Sequence, residues 1–145
     1  VEHTNPSYRS GDRKRGCVNG LVTDHLEVTI PSGAVVGDTI LLSSVPWDHL
    51  HSTLSLQSEG AAGLTLDIGA RTQDGSTDDP TFFAGGLDAS AVGVQETMDH
   101  PKKFVDADDV PKQHQIYLTI TGAVTPGDRF WVINAFRSYG MNNSL

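Results

Sequence analysis

Residues 115–121 read Gln-Ile-Tyr-Leu-Thr-Ile-Thr, with Ile116, Leu118 and Ile120 at one parity and Tyr117, Thr119 and Thr121 at the other. A period of two in a stretch rich in β-branched and aromatic residues predicts a strand with one buried face. The same pattern recurs on the N-terminal side. Leu26 to Ile30 alternates and stops at the turn cluster Pro31-Ser32-Gly33, Asp38 to Ser43 follows, and Leu64, Leu66 and Ile68 form another inward set. His49 to Ser58 places Leu50, Leu54 and Leu56 on one face and His49, His51, Thr53, Ser55 and Gln57 on the other. Asp128 to Phe136 is apolar at both parities, as expected of a central or covered strand.

Helical signal is confined to Ala89–Met98, which could form one short helix, while residues 106–111 read as a loop or single turn. Short strands separated by Gly and Pro turns predict an all-β fold, an antiparallel sandwich of jelly-roll type with immunoglobulin-like topology as the near alternative. At 145 residues the chain is about one domain, able to bury roughly 68–70% of its unfolded surface. The division expected is an extended basic N-terminal arm over residues 1–20 and a β-sandwich over residues 21–145.

Charge supports that division. The net charge is −8, yet residues 1–20 hold Arg9, Arg13, Lys14 and Arg15 against Glu2 and Asp12, leaving 6 basic and 16 acidic side chains for the body. An acidic body should be repelled by nucleic acid, which is bound through clustered cations. No apolar run approaches a membrane span and none at the start resembles a signal peptide, so neither a membrane nor a nucleic acid is expected as partner. Cys17 is the only cysteine, which excludes an intrachain disulfide and a multi-thiolate metal site and fits folding in a reducing compartment. There the sequon Asn142-Asn143-Ser144 would go unused, and Cys17 reads as an inert thiol.

Candidate chemistry is sparse. The loop Asp74-Gly75-Ser76-Thr77-Asp78-Asp79-Pro80 is crowded with carboxylates, but its spacing does not match an EF-hand, and a solvated loop held by Asx turns is expected. Two histidines two apart in a strand, His49 and His51, share a face and could chelate a metal as in cupins. The accompanying glycine and glutamate are missing, since Ser43 stands ahead of the pair and Glu59 comes eight residues later. They are expected as polar residues on a wet strand face. No G-x-S-x-G elbow, P-loop or Cys-His-acid arrangement is present, so no catalytic residue, metal site or cofactor is expected and the chain is not read as an enzyme.

The order GDTILLSSVP, a polar-faced strand, LTLDIG, an acidic loop, FFAGGLDAS and finally IYLTITGAVTPGDRFWVINAF resembles small structural proteins of tailed bacteriophages, especially the head decoration or cement type. The likeness runs from Gly37 to Phe136. It implies a sandwich on the outer surface of an assembled capsid, commonly a homotrimer, made in the host cytoplasm and tying neighbouring major capsid proteins together. It carries over no catalytic residues. On this reading Asp67 bonds exposed backbone, Gly69 lets the chain leave its strand, Phe82 or Phe83 closes the sandwich, and the cations Arg9, Arg13, Lys14 and Arg15 reach onto the capsid. Other virion positions (neck, tail or fibre base) remain open. So does a carbohydrate-binding module with Trp47, Tyr117, Trp131 or Tyr139 as a sugar platform.

Overall fold

Pairing in this chain is nested, as if one long hairpin had been folded over and wrapped around a core. The computed structural model describes residues 1–9, 16–18, 21–98 and 100–138. Its strands are β1 (Glu2–Arg9), β2 (Gly16–Val18), β3 (Leu21–Thr29), β4 (Thr39–Val45), β5 (His49–Ser58), β6 (Thr65–Arg71), β7 (Asp78–Asp88), β8 (Gly93–Glu96), β9 (Lys102–Lys103), β10 (His114–Ile120) and β11 (Arg129–Ser138). From the tip outward, β6 pairs with β7, β5 with β8, β4 with β10 and β3 with β11, all antiparallel. The sheets run β1-β4-β10-β6-β7 and β2-β3-β11-β5-β8, with β9 beside β5. Eight strands in this order form a jelly roll, which decides against the immunoglobulin alternative.

The alternating segments supply the core. Leu26, Val28 and Ile30 face Phe130 and Val132 within one sheet, and Ile40, Leu66, Ile68, Ile116, Leu118 and Ile120 line the other. β11 lies between β3 and β5; its inward Phe130, Val132 and Phe136 are buried, while Trp131 and Ile133 on the other face are half-buried.

Three expectations are corrected here. Residues 1–20 do not all stand outside the sandwich: β1 pairs in parallel with β4, Glu2 opposite Thr39 and Arg9 opposite Ser43, and β2 pairs with β3. The residues that β1 turns inward are polar, so hydrophobic periodicity gave no sign of it. Asn5 is buried and its Nδ2 donates to the Glu27 carbonyl at 2.8 Å, and Pro6 is tolerated because β1 is an edge strand. Ala89–Met98 forms no helix; it contains β8, and Gly93 at φ +120° takes a conformation foreign to helices. Gly69 stays within β6, where its role is close approach. A Cβ there would meet the Asp79 carbonyl and the Pro80 Cα at 2.5 Å.

Candidate functional site

The polar feature the fold builds most completely lies inside the sandwich. Through Leu54, Leu56 and Ser58, β5 turns even-numbered residues inward. Against β11, however, Ala135 faces Thr53 while Phe136 faces His51, so Ser52 is an extra residue. That bulge reverses the phase. His51 therefore enters the core, 0% exposed, where the sequence pattern placed it on a wet face.

Across the core His114, also buried, comes from β10, and the two Nε2 atoms are 2.7 Å apart. His114 Nδ1 lies 2.8 Å from the Lys112 carbonyl, which only accepts, so that nitrogen carries the proton. In the neutral pair His114 Nε2 is then the acceptor and His51 Nε2–H the donor. Asn134 of β11 stands 3.1 Å from His51 Nδ1. Aromatic rings enclose the pair: Phe83 edge-on to His51 at 4.8 Å, Phe136 at 5.9 Å, and Phe104 at 4.7 Å from the His114 ring. Burial pushes His51 down to about 3, with His114 adding to the effect and Asn134 opposing it. Burial likewise pushes His114 down to about 4, against the opposing bond to Lys112. Both rings are neutral at neutral pH.

This pair is not built to chelate. Two imidazoles on one tetrahedral zinc at about 2.0–2.1 Å hold their nitrogens about 3.3 Å apart, and here the distance of 2.7 Å is that of a hydrogen bond. His49 shares the inward face, but its ring packs edge-on against Phe136 and its Nδ1 lies 2.8 Å from Asp48. Among the described residues no three His, Cys, Asp or Glu side chains are placed to share a metal ion.

In the acidic loop, Asp74 Oδ1 accepts from Ser76 N at 3.0 Å, Thr72 Oγ1 at 2.8 Å and Ser76 Oγ at 2.8 Å. These bonds, the Ser76 backbone N–H first, hold its carboxyl down to about 2. It is an Asx turn. Asp67 Oδ1 accepts from Gly86 N at 2.7 Å, so it does bond exposed backbone, and Phe83 fills the core while Phe82 packs at its margin.

The sugar-platform residues are not brought together. Tyr117 is 3% exposed, donates its hydroxyl to Asp78 and lies beneath Arg71; Trp131 lies under Arg129 at 5.3 Å; Tyr139 is outside the described residues. Trp47, 57% exposed, sits on the loop between β4 and β5. Of the four cations proposed from sequence, Arg13, Lys14 and Arg15 lie outside the described residues, and only the backbone of Arg9 is placed, opposite Ser43. The sequence pattern also missed an exposed apolar end. Val35, Val36 and Val92 project from loops that hydrogen bonds tie together through Gly37 to Ile120, Ala123 to Gly63 and Ala61 to Ala89.

No family model matches the chain, and no curated protein matches it. Among solved structures, a chain in the capsid of Ralstonia phage GP4 superposes with a TM-score of 0.54 at 18% identity, over 90% of this chain and 96% of that one. Chains of the infectious bursal disease virus VP2 subviral particle and of the Gx strain of that virus give TM-scores of 0.44 and 0.42 at 17% identity, and this chain spans about a third of each. At these identities the likeness is one of fold, and it covers almost the whole of both this chain and the GP4 one.

Proposed function

We propose that this protein is a virion structural protein, and specifically a capsid decoration (cement) protein that binds the outside of an assembled phage head and ties neighbouring major capsid subunits together. The observation that carries the reading is the jelly roll shared with the GP4 capsid chain, which extends over 90% of one and 96% of the other. A cement protein needs a rigid sandwich, many copies and contacts whose modest individual affinity is multiplied by avidity. A homotrimer, the form implied by the sequence resemblance, would provide that multiplication. The valine end offers apolar contact area. Arg9, Arg13, Lys14 and Arg15 supply charge for an acidic or carbonyl-lined partner surface.

The test mixes purified protein with undecorated heads of the cognate phage and counts copies retained after sedimentation. Saturable retention is expected. Replacing the four cations by glutamine should weaken retention and reduce its salt dependence, because the screened contacts would already be gone. Substitution is the informative variant, since deleting residues 1–20 would also remove β1 and β2 from the sheets. Absence of retention at any concentration would refute the decoration reading and leave neck, tail or fibre-base positions to be assayed.

A further inference from the structure

The bond between His51 and His114 joins the two sheets, β5 in one and β10 in the other, through two wholly buried imidazoles. Its proton inventory is tightly determined. The Lys112 carbonyl fixes the proton on His114 Nδ1, so the neutral pair has its second proton on His51 Nε2 and leaves a lone pair on His51 Nδ1. That lone pair needs a donor. Asn134 places Oδ1 toward it at 3.1 Å, while its Nδ2 is buried with no partner. Amide oxygen and nitrogen are exchanged by a half-turn. With the amide turned, Nδ2 donates to neutral His51; with Oδ1 inward, the amide accepts from a protonated His51. The network therefore has a place for one added proton in which every bond survives. It has none for two. A proton on His114 Nε2 would set N–H against N–H at the 2.7 Å separation and bring two cations together.

We propose that the His51–His114 pair is an acid-operated latch: neutral, it clasps the two sheets and pins the segment of residues 100–113 over the core, and double protonation releases that segment. The segment leads into β10 and carries the two-residue strand β9. It is held to the body by the pairing of β9 with β5, Lys102 Nζ on the Phe82 carbonyl, Gln113 Nε2 on Ser44 Oγ, the Phe104 ring on His114 and Phe82, and the Lys112 carbonyl on His114 Nδ1, and it is closed on itself by a bridge between Val105 and Pro111. The Phe104 and Lys112 contacts both end at His114.

Titratable and charged groups come from several elements around the pair. From β3, Asp24 stands opposite Asn134 in register and is 2% exposed. From β5 itself come His49 and its neighbour Asp48. From β9, Lys102 lies 5.5 Å over the Phe82 ring and donates to the Phe82 carbonyl at 2.9 Å. The Lys112 side chain pairs with Asp106 at 3.6 Å. β7 presents Phe82 and Phe83, and β11 presents Asn134 and Phe136. The cations belong to the segment that would leave.

Equilibrium urea unfolding of the intact chain between pH 7 and 4.5 tests the latch. Free histidine titrates at about 6.5, so between there and the depressed values of the folded pair, unfolding takes up two protons. The unfolding constant should rise about 100-fold per pH unit. His51→Gln or His114→Gln should reduce this to about tenfold, and the double variant should flatten it. Should the variants fail to fold, ring-nitrogen NMR of the unaltered chain at pH 7.5 must show Nε2–H on His51 and Nδ1–H on His114. Amide exchange on acidification must accelerate in residues 100–113 before β3 and β11. A rise below about threefold per pH unit, the opposite tautomers, or exchange that accelerates everywhere together would each overturn the latch.

Discussion

Replacing Gly69 by alanine tests the least expected contact in the fold. β6 and β7 are in register at Ile68 with Ala84 and at Ala70 with Asp79, so the four residues Pro80 to Phe83 are looped out against Gly69 alone. β7 backbone lies directly on the place where a side chain would begin. The added methyl would sit 2.5 Å from the Asp79 carbonyl and Pro80 Cα, against an ordinary contact of 3.4 Å or more, so β7 must recede by nearly 1 Å. Receding strains the pairings on either side, weakening about two hydrogen bonds by about 0.5 kcal/mol each, in addition to about 1–3 kcal/mol for overpacking. We expect a loss of about 2–4 kcal/mol overall. At about 4 °C per kcal/mol, a value between those of smaller and larger domains, the melting temperature should fall by about 8–16 °C. Gly75 is the control: at φ +74° with no atom within 4 Å, alanine there meets only left-handed strain, about 1–2 kcal/mol. Urea midpoints for both variants decide the matter. A Gly69→Ala change within 0.5 kcal/mol, roughly the scatter of a surface substitution, would show that β7 does not lie on β6 in this register.

Leu66→Ala, at a fully buried site between the sheets, should cost about 2–5 kcal/mol by chemical denaturation, whereas a surface-sized effect would displace the inward parity by one residue. Millimolar calcium should shift the melting curve no more than equal ionic strength does, because the lone pairs of Asp74 Oδ1 already serve Ser76 and Thr72. Below the latch window a second acid limb is expected. The Asp38 carboxyl is held at about 2 by His3 first, then by the α-amino group and the Val35 N–H. A depressed carboxyl contributes stability that is present above its unfolded pKa near 3.9 and lost as pH falls through about 2. His3→Ala should therefore shrink the loss of stability between pH 4 and 2, read from urea midpoints.

The alternating strands were legible because each obeys one parity from end to end. Leu54, Leu66, Leu118 and Ile120 are buried as their spacing required. Legibility failed wherever the parity slips or the inward residue is polar. One extra residue at Ser52 moved His51 from the surface into the core. β1 escaped notice because His3 and Asn5, its inward residues, satisfy Asp38 and the Glu27 carbonyl where a core strand would offer leucines. β7 was hidden by its own looped-out residues, of which Pro80 and Thr81 are exposed at the sheet edge, and β8 by a glycine-containing run too short to show a period. The candidate site was half visible: His49 and His51 drew attention by sharing a face, but their partners His114 and Asn134 lie 63 and 83 residues beyond His51 and are brought there only by nested pairing.

That nesting bears on why polar groups occupy the middle of the sandwich at all. Apolar contact between two sheets is non-directional, so Leu54, Leu118 and their neighbours resist separation of the sheets more than they resist sliding of one sheet over the other. Within each sheet the ladders fix register, but no backbone bond of a ladder crosses between sheets. The His51–His114 bond does cross, with a geometry that tolerates little slip, and it is fixed at both ends by Lys112 and Asn134. A leucine pair in the same space would bury more apolar surface and define the alignment less. For a protein proposed to repeat the same contact many times on a lattice, a single alignment of its two faces has a direct use. A spread of alignments among copies would disperse the loop positions at both ends and weaken the avidity on which attachment depends.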